Sequence, residues 1–186
     1  AYPSIMTKAF GRAPSEPEQA LIDPLSHKLG EGSIDSAGYV EQVARIMNVA
    51  VPAVESFEHA TIEVTHDPSP EMRALVQRVR ERGIKVSLLS NMYLFEIMKT
   101  KTSSRYEGFD HTSFSAEEGM TKQNPEIFLR TLRHFNIPPE KALFVDDIPV
   151  YAAVAASLGI HTITADKESF GSAGELVGAI LNELGI

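Results

Sequence analysis

The sequence predicts an α/β protein in which a small helical bundle precedes a parallel-sheet domain. Three observations carry this. Residues up to about 66 show helical periodicity and no strand pattern. From Ser69 onward, short apolar runs alternate with amphipathic stretches, as in a parallel sheet with crossover helices. Between the two lies Asp67-Pro68-Ser69-Pro70, a proline-rich junction, so the expected division is 1–67 and 68–186.

The first part holds four helical pieces. Ser4–Phe10 is closed by Gly11, and Ser15–Leu29 is broken or kinked at Pro24 and ended by Gly30 and Gly32. Beyond Ser33-Ile34-Asp35, the residues Val40, Val43, Ala44 and Met47 recur at i, i+3, i+4, i+7 and make one apolar stripe. A further helix covers Val51 to about Ala60.

In the second part Ser69 caps and Pro70 opens a helix with Met72, Leu75, Val76 and Val79 on its apolar face. A strand at Lys85–Leu89, a helix over Met92–Thr102, a short strand over His111–Ala116 and a helix over Asn124–Phe135 follow. The run Ala142–Val145 is too short for a helix core and reads as a strand buried on both faces. An alanine-rich helix from Pro149 to Leu158, a strand at His161–Thr164 and a last helix from Ser172, with a capping box to Glu175, complete the alternation.

Composition narrows the function classes. At 43% hydrophobic and 23% charged, the chain of 186 residues is globular rather than disordered. A net charge of −8 speaks against a nucleic-acid partner bound by phosphate neutralisation. Without cysteine there is no disulfide, thiolate metal site or cysteine nucleophile, which suits a cytoplasmic location. No apolar run approaches the ~18 residues of a membrane span, so no membrane partner is expected. Oligomeric state leaves no signal.

Three polar clusters sit at predicted strand ends or helix starts. Asp146 and Asp147 end the apolar run, at the carboxyl edge where open parallel sheets bind ligands. Adjacent carboxylates repel and are relieved by water, as a solvated turn, or by a hard cation such as Mg²⁺. Ser90-Asn91 follows another apolar strand; its hydroxyl, amide and backbone N–H groups suit either a phosphoryl oxygen or a helix cap. Lys122 precedes the helix start at Asn124-Pro125, where a cation is disfavoured by the helix dipole unless an anion is shared; otherwise it is a surface lysine.

The ordered set resembles the haloacid dehalogenase (HAD) superfamily of phosphohydrolases. Leu88-Leu89-Ser90-Asn91 is similar to that family's second motif, Lys122 in Lys-Gln-Asn-Pro-Glu-Ile-Phe to its third, and Phe144-Val145-Asp146-Asp147 to its fourth. The resemblance implies a Rossmann-like core, with the helical segment before residue 67 as an inserted cap. It implies Mg²⁺ held by Asp147 and Asp146, a phosphoryl group bound by Ser90, Asn91 and Lys122, and catalytic roles for Lys122, Ser90 and Asp147. Gln123 stands where many relatives have proline. The family's first motif, Asp-x-Asp on a central strand, has no counterpart among these residues; that strand, with the nucleophilic aspartate, is expected upstream of residue 1.

The expected activity is Mg²⁺-dependent hydrolysis of a small phosphorylated metabolite through an aspartyl-phosphate. Alternatives are a catalytically silent binding or scaffold domain on the same fold, and a carbon–halogen hydrolase. A phosphoacceptor signalling domain would carry its acidic pair early and its lysine last, the reverse of this order. No Gly-x-Gly-x-x-Gly follows a strand, which speaks against dinucleotide binding.

Overall fold

The computed structural model describes residues 2–63, 68–100, 104–166 and 168–186. His66, Asp67 and Thr102, where junction and helix ends were expected, lie outside them. In chain order the elements are helices α1 (Tyr2–Phe10), α2 (Glu16–Gly30), α3 (Ser36–Met47), α4 (Val54–Glu63) and α5 (Pro70–Glu81), strand β1 (Ser87–Ser90), α6 (Leu94–Thr100), β2 (His111–Phe114), α7 (Ser115–Glu118), α8 (Pro125–Phe135), β3 (Leu143–Asp146), α9 (Pro149–Ser157), β4 (His161–Thr164) and α10 (Ala173–Glu183). Short 3₁₀ turns precede β2 and β3, at Ser104–Tyr106 and Pro139–Lys141. Among the described residues no helix is long and apolar enough to cross a membrane.

The chain forms two compact units. One comprises 1–67, 91–104 and 114–121; the other comprises 68–90, 105–113 and 122–186. The break at 67/68 is thus joined by others that periodicity does not reveal. Two contacts explain why the later segments join the helical unit. Phe95 of α6 packs its ring 5.9 Å from that of Phe57 in α4. Ser115, fully buried at the start of α7, accepts the Met92 N–H through Oγ and donates to the Gly30 carbonyl at 2.6 Å.

The helical unit is built on the predicted stripe: Val40, Val43, Ala44 and Met47 of α3 are all buried, with Met6, Ile22, Tyr39 and Phe57 around them. Asp35 caps α3 by accepting the Gly38 N–H. The α1–α2 connection is clamped by Arg12. Its guanidinium forks onto Glu18 at 2.8 and 2.6 Å and donates to the Met47 carbonyl at 2.5 Å. Glu18 also accepts the Ser15 N–H, closing the α2 capping box. Helix α2 continues through Pro24 instead of breaking there, because packing of Ile22, Leu25 and Leu29 outweighs the one backbone bond that proline forfeits.

In the α/β unit, β3 and β4 pair in parallel with Leu143 opposite His161 and Asp146 opposite Thr164. Side chains alternate as a strand requires. Leu143 and Val145 join the core made by Leu75 and Val79 of α5 and Ile180 of α10. Phe144 points the other way and meets Phe128 of α8 edge-on at 5.0 Å. The strand is therefore covered by helices on both faces, as its apolar run predicts.

Its edge differs from expectation. Among the described residues β1 pairs with β2 and β3 with β4, giving a sheet in two pieces in place of one. Every residue of β1 and β3 is only half-buried. An apolar cavity of about 520 Å³ accounts for this, since its wall carries Leu88 and Leu89 of β1 together with Leu143, Phe144 and Val145 of β3.

Candidate active site

Asp146 is the last residue of β3, and the chain turns there through its own side chain: Asp146 Oδ1 accepts the Ile148 N–H at 2.9 Å. The Ile148 carbonyl then accepts the Tyr151 N–H at 3.0 Å and starts α9, with Pro149 at its first position. This places Asp146, Asp147 and Tyr151 on one tight strand-to-helix turn.

Lys122 arrives from another short, stiff connection. Helix α7 ends at Gly119 in the left-handed conformation (φ +71°), and three residues beyond Lys122 Pro125 opens α8 behind the cap Asn124, whose Oδ1 accepts the Glu126 N–H at 3.0 Å. Lys122 is buried, against the surface-lysine alternative. Its Nζ lies 2.5 Å from Asp146 Oδ2, with side-chain exposures of 10% and 7%. The ammonium also stands 4.8 Å from the centre of the Tyr151 ring and 6.0 Å from that of Phe144. Burying an ion pair costs desolvation that the attraction offsets only when the remaining bonds are well made. Here the Ile148 N–H on the carboxylate and the two rings about the ammonium supply that support.

The two acids are not equivalent. Both oxygens of Asp146 are engaged, one by Lys122 and one by the Ile148 N–H. Asp147 is exposed and makes no hydrogen bond or ion pair among the described residues. Nor do those residues contain a group of three or more His, Asp or Glu side chains able to hold a metal. A Mg²⁺ ion needs only one or two carboxylates when substrate phosphate and water complete its shell. The donor set fits such an ion, with Asp147 as the readily available ligand.

Ser90 is the half-buried last residue of β1, and Asn91 follows it. Helix α6 begins only at Leu94, and its first turn is held by Glu96, whose carboxylate accepts the Tyr93 N–H at 2.9 Å. Helix α6 thus starts three residues beyond Asn91 rather than directly after it. Of the sequence-predicted residues, the structure brings Lys122 and Asp146 into contact, sets Asp147 beside them in the chain and leaves Ser90 at the end of the other strand. Tyr151 was missed. Its only sequence signal is an aromatic residue in the first turn of the helix after the acidic pair.

A family model described as a haloacid dehalogenase-like hydrolase matches residues 7–159. Acyl-CoA dehydrogenase family member 10 of Mus musculus is 30% identical over 141 residues, covering 74% of this chain and 13% of that protein. Glyceraldehyde 3-phosphate phosphatase of Pyrococcus furiosus is 37% identical over 57 residues, covering 30% of this chain and 23% of that protein. The chain thus spans less than a quarter of the length of either relative. A HAD family enzyme from Bacteroides thetaiotaomicron, solved as a magnesium complex, superposes with a TM-score of 0.69 at 25% identity, covering 88% of this chain and 82% of that one.

Proposed function

This chain belongs to the haloacid dehalogenase-like hydrolase family, and from that premise we propose that it carries the lysine, the metal-binding acids and the phosphate-binding strand end of a phosphohydrolase acting on a small phosphorylated metabolite. The observation that carries this reading is the buried Lys122–Asp146 pair at the end of β3. A sequestered cation beside an exposed carboxylate suits the oxygens of a phosphoryl group. The relatives whose names give a phosphatase or a magnesium complex support it.

In this reading Asp147 is the principal Mg²⁺ ligand and Asp146 the second. Bound there, Mg²⁺ would neutralise charge on the phosphoryl oxygens. Lys122 balances negative charge on the same group as it transfers, while Asp146 fixes the ammonium in place. The Ser90 hydroxyl and the Asn91 N–H donate to a phosphoryl oxygen. The nucleophile in this reading is an aspartate. Its carboxylate oxygen bonds to phosphorus as the bond to the leaving oxygen breaks, and water then releases inorganic phosphate from the aspartyl-phosphate.

The test is steady-state hydrolysis of an aryl phosphate by the native protein that carries this sequence, with and without Mg²⁺. Mg²⁺-dependent release of phosphate, reduced at least a hundredfold by Lys122→Ala, is the expected result. Halide release from a 2-haloacid without metal would replace phosphorus by carbon as the electrophile. Inactivity on both substrates would favour a binding or scaffold role.

A further inference from the structure

The environment of Lys122 is more specific than an ion pair. A lysine side chain has four rotatable bonds, and one carboxylate contact fixes a single distance, leaving the ammonium free to swing about it. Here a second reference is present: the Tyr151 ring, 4.8 Å from Nζ at its centre, well inside the range in which an aromatic face attracts a cation. Phe144 stands farther away, at 6.0 Å, the limit of that range.

Asp146 and Tyr151 come from the same turn. Asp146 Oδ1 accepts the Ile148 N–H, and the Ile148 carbonyl accepts the Tyr151 N–H, so two hydrogen bonds tie the carboxylate to the backbone that carries the ring. Tyr151 is half-buried, with a fully buried helical neighbour in Ala155 behind it. A ring face is also a partner of a different kind from a carboxylate. It stabilises the buried cation without adding a competing negative charge, so the ammonium keeps its attraction for an incoming anion. A second carboxylate in that place would hold Lys122 as firmly but repel a phosphoryl group.

We propose that Tyr151 is a positioning residue for Lys122: its ring holds the ammonium against Asp146 in the orientation that meets a bound phosphoryl group. This rests on the phosphohydrolase reading for its catalytic consequence, but not for the ring–ammonium contact itself. It predicts that the aromatic face matters and the phenolic hydroxyl does not.

The experiment compares Tyr151→Leu, Tyr151→Phe, Lys122→Ala and the Tyr151→Leu/Lys122→Ala double variant in the native protein. The readouts are kcat and KM for an aryl phosphate and the NMR shifts of the Lys122 ε-methylene protons. Tyr151→Leu lowers kcat about tenfold, equivalent to about 1.4 kcal/mol, with KM little changed; Tyr151→Phe recovers most of that loss. The double variant is no slower than Lys122→Ala alone, because the ring acts only through the lysine. In the unsubstituted protein the ε-methylene protons lie upfield through the ring current, stay there in Tyr151→Phe and return to ordinary values in Tyr151→Leu. Full kcat in folded Tyr151→Leu alongside an inactive Lys122→Ala overturns the role of Tyr151 and leaves the phosphohydrolase reading standing. Full activity in Lys122→Ala overturns the phosphohydrolase site instead. If the aryl phosphate is not turned over, the NMR arm decides: ε-methylene shifts that are ordinary in the unsubstituted protein, or unmoved by Tyr151→Leu, overturn the proposal.

Discussion

Lys122 Nζ and Asp146 Oδ2 meet at 2.5 Å, 24 residues apart in sequence and both shielded from solvent. Each charge has given up most of its hydration, so their contact offsets a desolvation cost on both sides. Replacing Lys122 by Met leaves a buried carboxylate supported by one backbone N–H, and losing one member of a buried pair costs about 3–5 kcal/mol. The Lys122→Met/Asp146→Asn double variant removes both charges and is expected to regain more than half of that loss. Urea denaturation of the four proteins measures the coupling; additive single-site losses would contradict the pairing.

Asp147 and Asp146 should separate cleanly when each is changed to Asn. Asp147 is exposed and bonds to none of the described residues, so Asp147→Asn should leave stability within about 0.5 kcal/mol. The same change is expected to weaken Mg²⁺ binding at least tenfold by calorimetry. Asp146→Asn, which removes the buried carboxylate from Lys122, should lower stability instead. Unaltered Mg²⁺ affinity in Asp147→Asn would remove that residue from the metal site.

The Arg12–Glu18 clamp makes the helical unit acid-sensitive. The Arg12 guanidinium, followed by the Ser15 N–H and hydroxyl, holds the Glu18 carboxyl at about 2, below its ordinary 4.5. A carboxyl depressed in the folded state stabilises it above the unfolded value and loses that contribution as pH falls. Stability should therefore decline from pH 4.5 toward pH 2. Glu18→Gln should flatten that part of the profile, read as denaturation midpoints across this range. An identical slope in the variant would show that the clamp does not form in solution.

Gly32 tests the close packing between α2 and α7. Its φ is +68°, and a Cβ there would sit 2.6 Å from the Ala116 carbonyl oxygen. Gly83 has a similar φ of +77° with nothing within 4 Å of a Cβ. Gly83→Ala should thus cost only the left-handed strain of about 1–2 kcal/mol. Gly32→Ala should cost distinctly more, because backbone must move as well. Equal losses in thermal denaturation would mean that the approach to Ala116 is looser than the structure has it.

Much of this was legible in the residues. The α3 stripe, the caps at Ser69 and Ser172, and an apolar strand ending on Asp146 all stand where periodicity and capping chemistry place them. Small departures have local causes. The strand expected over His111–Ala116 stops at Phe114, because Ser115 and Ala116 turn into α7 to be buried against the end of α2. At the last helix, Ser172 accepts the Glu175 N–H as expected, but the Glu175 carboxylate reaches Gly171 rather than Ser172.

By itself the sequence determined what short-range physics controls: which of the longer segments are helix or strand, and which polar residues stand at strand ends. Side-chain period, proline geometry and N-cap hydrogen bonds act over a few residues, so they can be read from a few residues. Only the tertiary structure decided that Lys122 spends its charge on Asp146 under the Tyr151 ring, while Asp147 stays exposed. It alone joined residues 91–104 and 114–121 to the helical unit and left β1 and β3 half-buried about an apolar cavity. Those outcomes depend on which surfaces meet across tens of residues, where burial and desolvation rather than local pattern choose the partner.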